Sequence, residues 1–184
     1  MPVDYNQCNS GVRAVIREIH REDIPELIEA LVSLSFESRM ARFFYDKKAL
    51  SRKELHRLTL PSNKNHLIGV AVVSDGNRDK QIVGFAGWIR VALKAAIADV
   101  SVVVSDSWRR CGLGNQLITE LRNAALRVGI THWRTDFFAT NLGAAKLLGL
   151  AGLEERREDL GSGIVRVTVK LSSSVASRVT PSVA

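Results

Sequence analysis

The stretch from Asp99 to Gly114 constrains this chain more than any other. It reads Asp99-Val100-Ser101-Val102-Val103-Val104, then Ser105-Asp106-Ser107-Trp108, then Arg109-Arg110-Cys111-Gly112-Leu113-Gly114. The valine run predicts a strand buried on both faces. Apolar residues then recur at Leu113, Leu117, Ile118, Leu121, Ala125 and Val128, the spacing of one helical face, and Gly129 marks the stop. A glycine-rich loop that opens a helix bares backbone N–H groups, which attract phosphate oxygens. The segment is a strand, a turn and an anion cradle.

Two common cradles fail at once. The dinucleotide fingerprint requires a glycine where Leu117 stands, and a Walker loop requires Lys and Ser or Thr where Asn115-Gln116 follow Gly114. What remains is Arg-x-x-Gly-x-Gly over Arg109–Gly114, and in this the sequence resembles the GNAT superfamily of acyl-CoA N-acyltransferases. The resemblance implies that Arg109, Arg110, Cys111, Gly112, Leu113, Gly114 and Asn115 wrap the pyrophosphate of coenzyme A. It also implies that Val102, Val103 and Val104 pair with the pantetheine arm, which slots between this strand and a parallel one at residues 131–138. Asn141-Leu142-Gly143-Ala144 is similar to the superfamily's second coenzyme segment, so Asn141 and Ala144 join the expected binding set. A plain N-cap is the alternative reading of Asn141 and is compatible with that role.

A narrower resemblance concerns the acceptor side. Ser35-Phe36-Glu37-Ser38-Arg39-Met40-Ala41-Arg42-Phe43-Phe44, with Leu58-Thr59 and Ile82-Val83-Gly84-Phe85-Ala86, is similar to the GNAT domain of Pat-type bacterial protein lysine acetyltransferases. That family places a catalytic glutamate where Ala98-Asp99-Val100 stands here, so Asp99 is the expected general base, working through a water because it is one methylene shorter. An ordinary carboxylate at a strand edge is the alternative. Leu148 occupies the place where many GNAT enzymes carry a tyrosine that protonates the leaving thiolate. Either the thiolate leaves unassisted or the enzyme is impaired. Cys111 reads as a small loop residue; a covalent acyl-cysteine is the lesser alternative.

The rest of the chain agrees with one domain of 184 residues, 46% apolar and 24% charged. The predicted order is a strand at 13–19, a helix capped by Asp23 with Ile24, Leu27, Ile28 and Leu31 inward, and helical pieces over 35–44 and 51–60. Strands at 67–73 and 81–91 follow, joined by turn chemistry at 74–77, and then the organising strand at 97–105. The long helix, a strand at 131–138, a helix at 141–151 and a hairpin of 154–159 with 164–171 complete it. This is α/β (α+β), a mixed, mostly antiparallel twisted sheet of about seven strands with helices on both faces, and it matches the GNAT fold over residues 12–171. Residues 1–11 are expected to be a flexible N-terminus and 172–184 a disordered tail.

A net charge of +7 favours anionic ligands. The basic residues are scattered, which argues against nucleic acid. Cys8 and Cys111 make no disulfide framework, and His20, His56, His66 and His132 show no metal spacing, so no metal is expected. Trp108 is expected to pack. The absence of a signal peptide or spanning run points to a cytoplasmic protein, monomer or dimer, with no membrane partner. The resulting expectation is an acetyl-CoA-dependent N-acetyltransferase acting on a protein lysine. A small amine as acceptor, or a catalytically weak acetyl-CoA-binding module, stands as the alternative.

Overall fold

A computed structural model describes residues 14–74, 80–93 and 95–172. The expected flexible N-terminus, most of the turn at 74–77 and all but the first residue of the expected tail lie outside the described residues. The order is β1 (Ala14–Glu18), α1 (Ile24–Ser33), α2 (Phe36–Phe43), α3 (Arg52–Leu58), β2 (His66–Ser74), β3 (Lys80–Arg90) and β4 (Ile97–Val104). Then come α4 (Leu113–Arg127), β5 (His132–Phe138), α5 (Leu142–Ala151), β6 (Gly152–Gly161) and β7 (Ile164–Leu171). The seven strands form one sheet in the order β1-β2-β3-β4-β5-β7-β6. Only β4 and β5 pair in parallel; every other neighbour is antiparallel.

Strand alternation divides the sheet into two faces. Ala98 and Val100 on β4, with Trp88, Trp133 and Val167, face α4 and α5 and form the larger core with Leu113, Leu117, Ile118 and Leu121. On the other face a smaller cluster of Ile19, Leu27, Ile68, Val70, Val72 and Ile82 packs under α1, with Leu50, Leu55 and Leu58 from the α3 region against it. Gly129, at φ 78°, ends α4 in the left-handed conformation that glycine adopts without steric cost.

Three expectations need correction. Asp23 stands at the N-cap of α1, but its side chain makes no cap bond there. Its carboxylate instead takes both Arg17 nitrogens at 2.6 Å, plus the His20 N–H at 2.8 Å, because a charge-assisted pair outcompetes a single cap bond. Ile28 is 39% exposed; the inward stripe of α1 runs through Leu27 and Leu31 to Leu34. Finally, β4 is not buried on both faces: Asp99 is exposed and Ser101 to Val104 are half-buried.

The connection before α3 carries a buried lysine. Lys47 Nζ lies 2.9 Å from Glu54 Oε1 and donates to the Tyr45 hydroxyl at 3.0 Å, while Ser51 and Glu54 form a reciprocal capping box. The Lys47 ammonium first, then the Ser51 N–H and hydroxyl, pull the Glu54 carboxyl down from 4.5 to about 2. A lowered carboxylate pKa stabilises the fold above the unfolded value and loses that contribution as pH falls toward the folded one. Thermal melts should therefore show wild type losing more stability than Glu54→Gln between pH 4.5 and about 2; parallel losses would contradict this pairing.

Candidate functional site

The parallel pair β4–β5 holds for three residues and then opens. Ile97 pairs with His132, Ala98 with Trp133 and Asp99 with Arg134; beyond them the β5 residues continue against β7 alone. On β4, Val100 to Val104 keep their partners on β3 and have none on β5. The two strands thus form a V whose inner edges carry main-chain N–H and C=O groups outside the ladder. This explains the half-buried valines: the apolar run lines a slot. Val102, Val103 and Val104 all lie on the opened segment.

Asp99 sits at the apex. Its carboxylate oxygens accept from Arg134 Nε at 2.7 Å and Nη2 at 3.1 Å, a two-pronged pair. This hydrogen bond with Asp99 raises the Arg134 pKa. On the next strands Arg166 grips Asp136 in the same way, at 2.7 and 2.8 Å. Arg134 was not legible as a site residue, because its approach depends on the register at which β5 leaves β4. The side chains of Asp99, Arg134, Asp136 and Arg166 form a charged band across the sheet.

The glycine loop follows the turn after β4. Arg110 has φ 63° and Gly112 φ 80°, so the chain twice enters left-handed conformation before α4 begins. The Gln116 N–H closes the first helical turn on the Gly112 carbonyl at 3.1 Å. The N–H groups of Leu113, Gly114 and Asn115 precede that bond and have no place in the helix ladder. A Cβ on Gly114 would stand 3.3 Å from a Leu147 methyl and 3.8 Å from a Val104 methyl, so glycine lets this end of α4 lie close to α5 and β4 without displacing Leu147. Arg109, Arg110, Gly112 and Asn115 are exposed, and Leu113 is buried as the first core residue of α4. Cys111 is half-buried in the loop.

Asn141 caps α5, its Oδ1 accepting from the Ala144 N–H at 3.0 Å. Both residues begin the helix that follows the opened end of β5. Leu148 is 6% exposed and belongs to the larger core. Trp108 is 4% exposed in the same core, as its expected packing role requires.

A hub the sequence did not announce is Asp106. It accepts from the Ser35 N–H at 2.7 Å and the Ser38 hydroxyl at 2.5 Å, and lies 3.2 Å from Arg109 Nη2, which itself donates to Ser38 at 2.6 Å. The N-terminus of α2 is thereby tied to the glycine loop. At the other end of α2, the Phe44 ring meets Phe138, the last residue of β5, edge-on at 5.4 Å between centroids. The helix spans the V from the end of β4 to the end of β5. Beneath it lies a cavity of about 260 Å³ lined by Leu27, Leu34, Arg42, Phe85, Ile89 and Val103 among others. Ile89 is the cross-strand neighbour of Asp99, and Phe85 that of Val103, so the cavity runs along the Asp99 face of β3 and β4.

Among the described residues no three His, Cys, Asp or Glu side chains are grouped to hold a metal ion, and no helix is long and apolar enough to cross a membrane.

Residues 65–148 match the family model of the acetyltransferase (GNAT) domain. No curated protein matches the chain in sequence. Among solved structures, the GNAT domain of S. lividans PAT superposes with a TM-score of 0.74 at 22% identity, over 86% of this chain and 91% of that one. The yncA protein of Salmonella typhimurium, solved with its cofactor acetyl-CoA, gives 0.66 at 16% identity, over 89% and 96%. A cAMP-binding acyltransferase from Mycobacterium smegmatis gives 0.59 at 20% identity over 98% of this chain, which spans 50% of that protein. At these identities the likeness is one of fold.

Proposed function

We propose that this chain, whose residues 65–148 match the family model of the acetyltransferase (GNAT) domain, moves the acetyl group of acetyl-CoA onto the side-chain amine of a protein lysine. The observation that carries the reading is the V: an opened strand pair with a cradle of unladdered N–H groups at its wide end and a carboxylate at its apex.

The residues present fit the coenzyme. The N–H groups of Gly112 to Asn115 and the guanidinium groups of Arg109 and Arg110 hold the diphosphate. Main-chain groups of Val102, Val103 and Val104 bind the pantetheine amides as a strand would, with Asn141 and Ala144 on the facing side. Acetyl-CoA supplies an acyl carbon already activated as a thioester. An unladdered β4 N–H above the apex receives the negative charge that develops on the acyl oxygen, an effect of about 3 kcal/mol in acyl-transfer sites.

A lysine amine is neutral in only roughly one molecule in 2,500 at pH 7. Asp99 takes its proton, through a water, as the amine nitrogen bonds to the acyl carbon and the carbon–sulfur bond breaks. Arg134 holds the carboxylate in one orientation for that transfer. No tyrosine stands at Leu148, so the sulfur leaves as thiolate and takes its proton from solvent. The acceptor assignment rests on the likeness of α2 to the flap of Pat-type enzymes.

The test is thiol release from acetyl-CoA with candidate proteins, followed by mass spectrometry of the products. Saturable thiol release with acetyl-lysine in the product supports the reading. Coenzyme binding without thiol release would leave a binding module, and acetylation of small amines alone would move the acceptor class.

A further inference from the structure

The cavity under α2 holds a charge that no acidic side chain among the described residues answers. Arg42 lines it together with the leucines of α1, Phe85, Ile89 and Val103. The residue is half-buried, yet burial alone pulls its guanidinium below the ordinary arginine pKa, with no neighbouring carboxylate acting on it. Among the described residues no Asp or Glu lies within ion-pair distance of Arg42; its recorded contact is the Phe43 ring, 5.0 Å from the guanidinium carbon. Glu54, the acid that also lines the cavity, is committed to Lys47 and Ser51. Three other arginines near the V are matched: Arg39 with Asp46 at 2.6 Å, Arg109 with Asp106, Arg134 with Asp99. A desolvated cation without a counter-charge is costly in a fold, and it becomes favourable when an anion enters beside it.

We propose that this cavity receives the carboxylate of a glutamate side chain neighbouring the acceptor lysine, so that the enzyme selects lysines in acidic sequence. The inference rests on the protein-lysine reading above. A guanidinium matches a carboxylate with two parallel hydrogen bonds, and apolar walls strengthen that pair while packing the glutamate methylenes. Arg57, exposed at the same cavity, adds a second cation at its rim. The placement suits the reaction: the cavity wall includes Ile89, the strand neighbour of Asp99, so the cavity reaches the residue paired with the proton acceptor.

The test uses two lysine peptides identical but for one Glu or Gln beside the lysine, titrated into the protein with coenzyme A present. Thiol release from acetyl-CoA is recorded separately with the same peptides. Wild type is expected to bind the Glu peptide at least tenfold more tightly than its Gln twin. Arg42→Met should bind both equally, and Arg42→Lys should retain part of the difference. The melting temperature of Arg42→Met should be unchanged or higher, because an uncompensated charge is removed; a large drop would mark Arg42 as a packing residue and contradict the inference. Equal binding of the two peptides to wild type, or no binding of either peptide or of free glutamate, overturns it, whatever the thiol assay shows. Free glutamate is the remaining probe. If it binds in an Arg42-dependent way and neither peptide does, the anion site stands and the protein-lysine reading falls.

Discussion

Asp99→Asn is expected to lower turnover by about 10²–10³-fold while coenzyme A binds with nearly unchanged affinity. Asparagine keeps the shape at the apex and can still accept a bond from Arg134, which now donates to Asp99 at 2.7 and 3.1 Å. It cannot take a proton at neutral pH. Because the loss follows from the amine's failure to lose its proton, it should shrink as the pH rises toward the lysine pKa and the amine becomes neutral unaided. Steady-state rates across that range, with calorimetry for the coenzyme, separate the cases. An undiminished rate would make Asp99 an ordinary half of an ion pair, and a lost affinity would make it a structural residue of the V.

The second large effect is expected in the cradle. Gly112→Val should weaken coenzyme A binding by tenfold or more while the rate at saturating coenzyme changes little. Gly112 has φ 80°, and a β-branched residue there is strained by roughly 1–3 kcal/mol. The chain relieves that strain by rotating the peptide planes ahead of α4, which turns the N–H groups of the loop away from a common centre. Asp99 and the β4 edge are untouched. Equal loss of affinity and saturated rate would point to a general disturbance of the fold, and a melting curve on the same sample checks that.

How much of this was legible in the sequence depended on the range of the signal. The glycine loop, the helix it opens and the cap at Asn141 are local, and each is found where residue spacing placed it. The same local logic misread Asp23, since a cap position says nothing of an arginine six residues away that offers two bonds. The valines of β4 were read as a strand covered on both faces. An apolar run looks the same whether its cover is protein or a slot left for a ligand, and only the departure of β5 after Arg134 distinguishes them. Arg134 and Asp106 were invisible for a related reason. Asp99 and Arg134 are 35 residues apart, and Ser35 and Asp106 are 71 apart, so neither contact leaves a periodic trace. Arg42 did appear in the sequence, inside the flap motif. That no carboxylate among the described residues pairs with it is a property of the packed fold alone.

The acceptor side is physically tied to the coenzyme side through α2. Asp106 holds Ser35 and Ser38 while sharing Arg109 with the loop, and Phe44 rests on the end of β5. Any shift of Arg109 toward a phosphate is therefore felt at Ser38, its other partner.

The central claim is tested most directly by a crystal structure of the protein with acetyl-CoA. The account predicts the diphosphate on the N–H groups between Arg109 and Asn115, the pantetheine between β4 and β5 along Val102 to Val104, and the thioester next to Asp99. Coenzyme found elsewhere, or a V closed by strand pairing beyond Asp99 and Arg134, would contradict it.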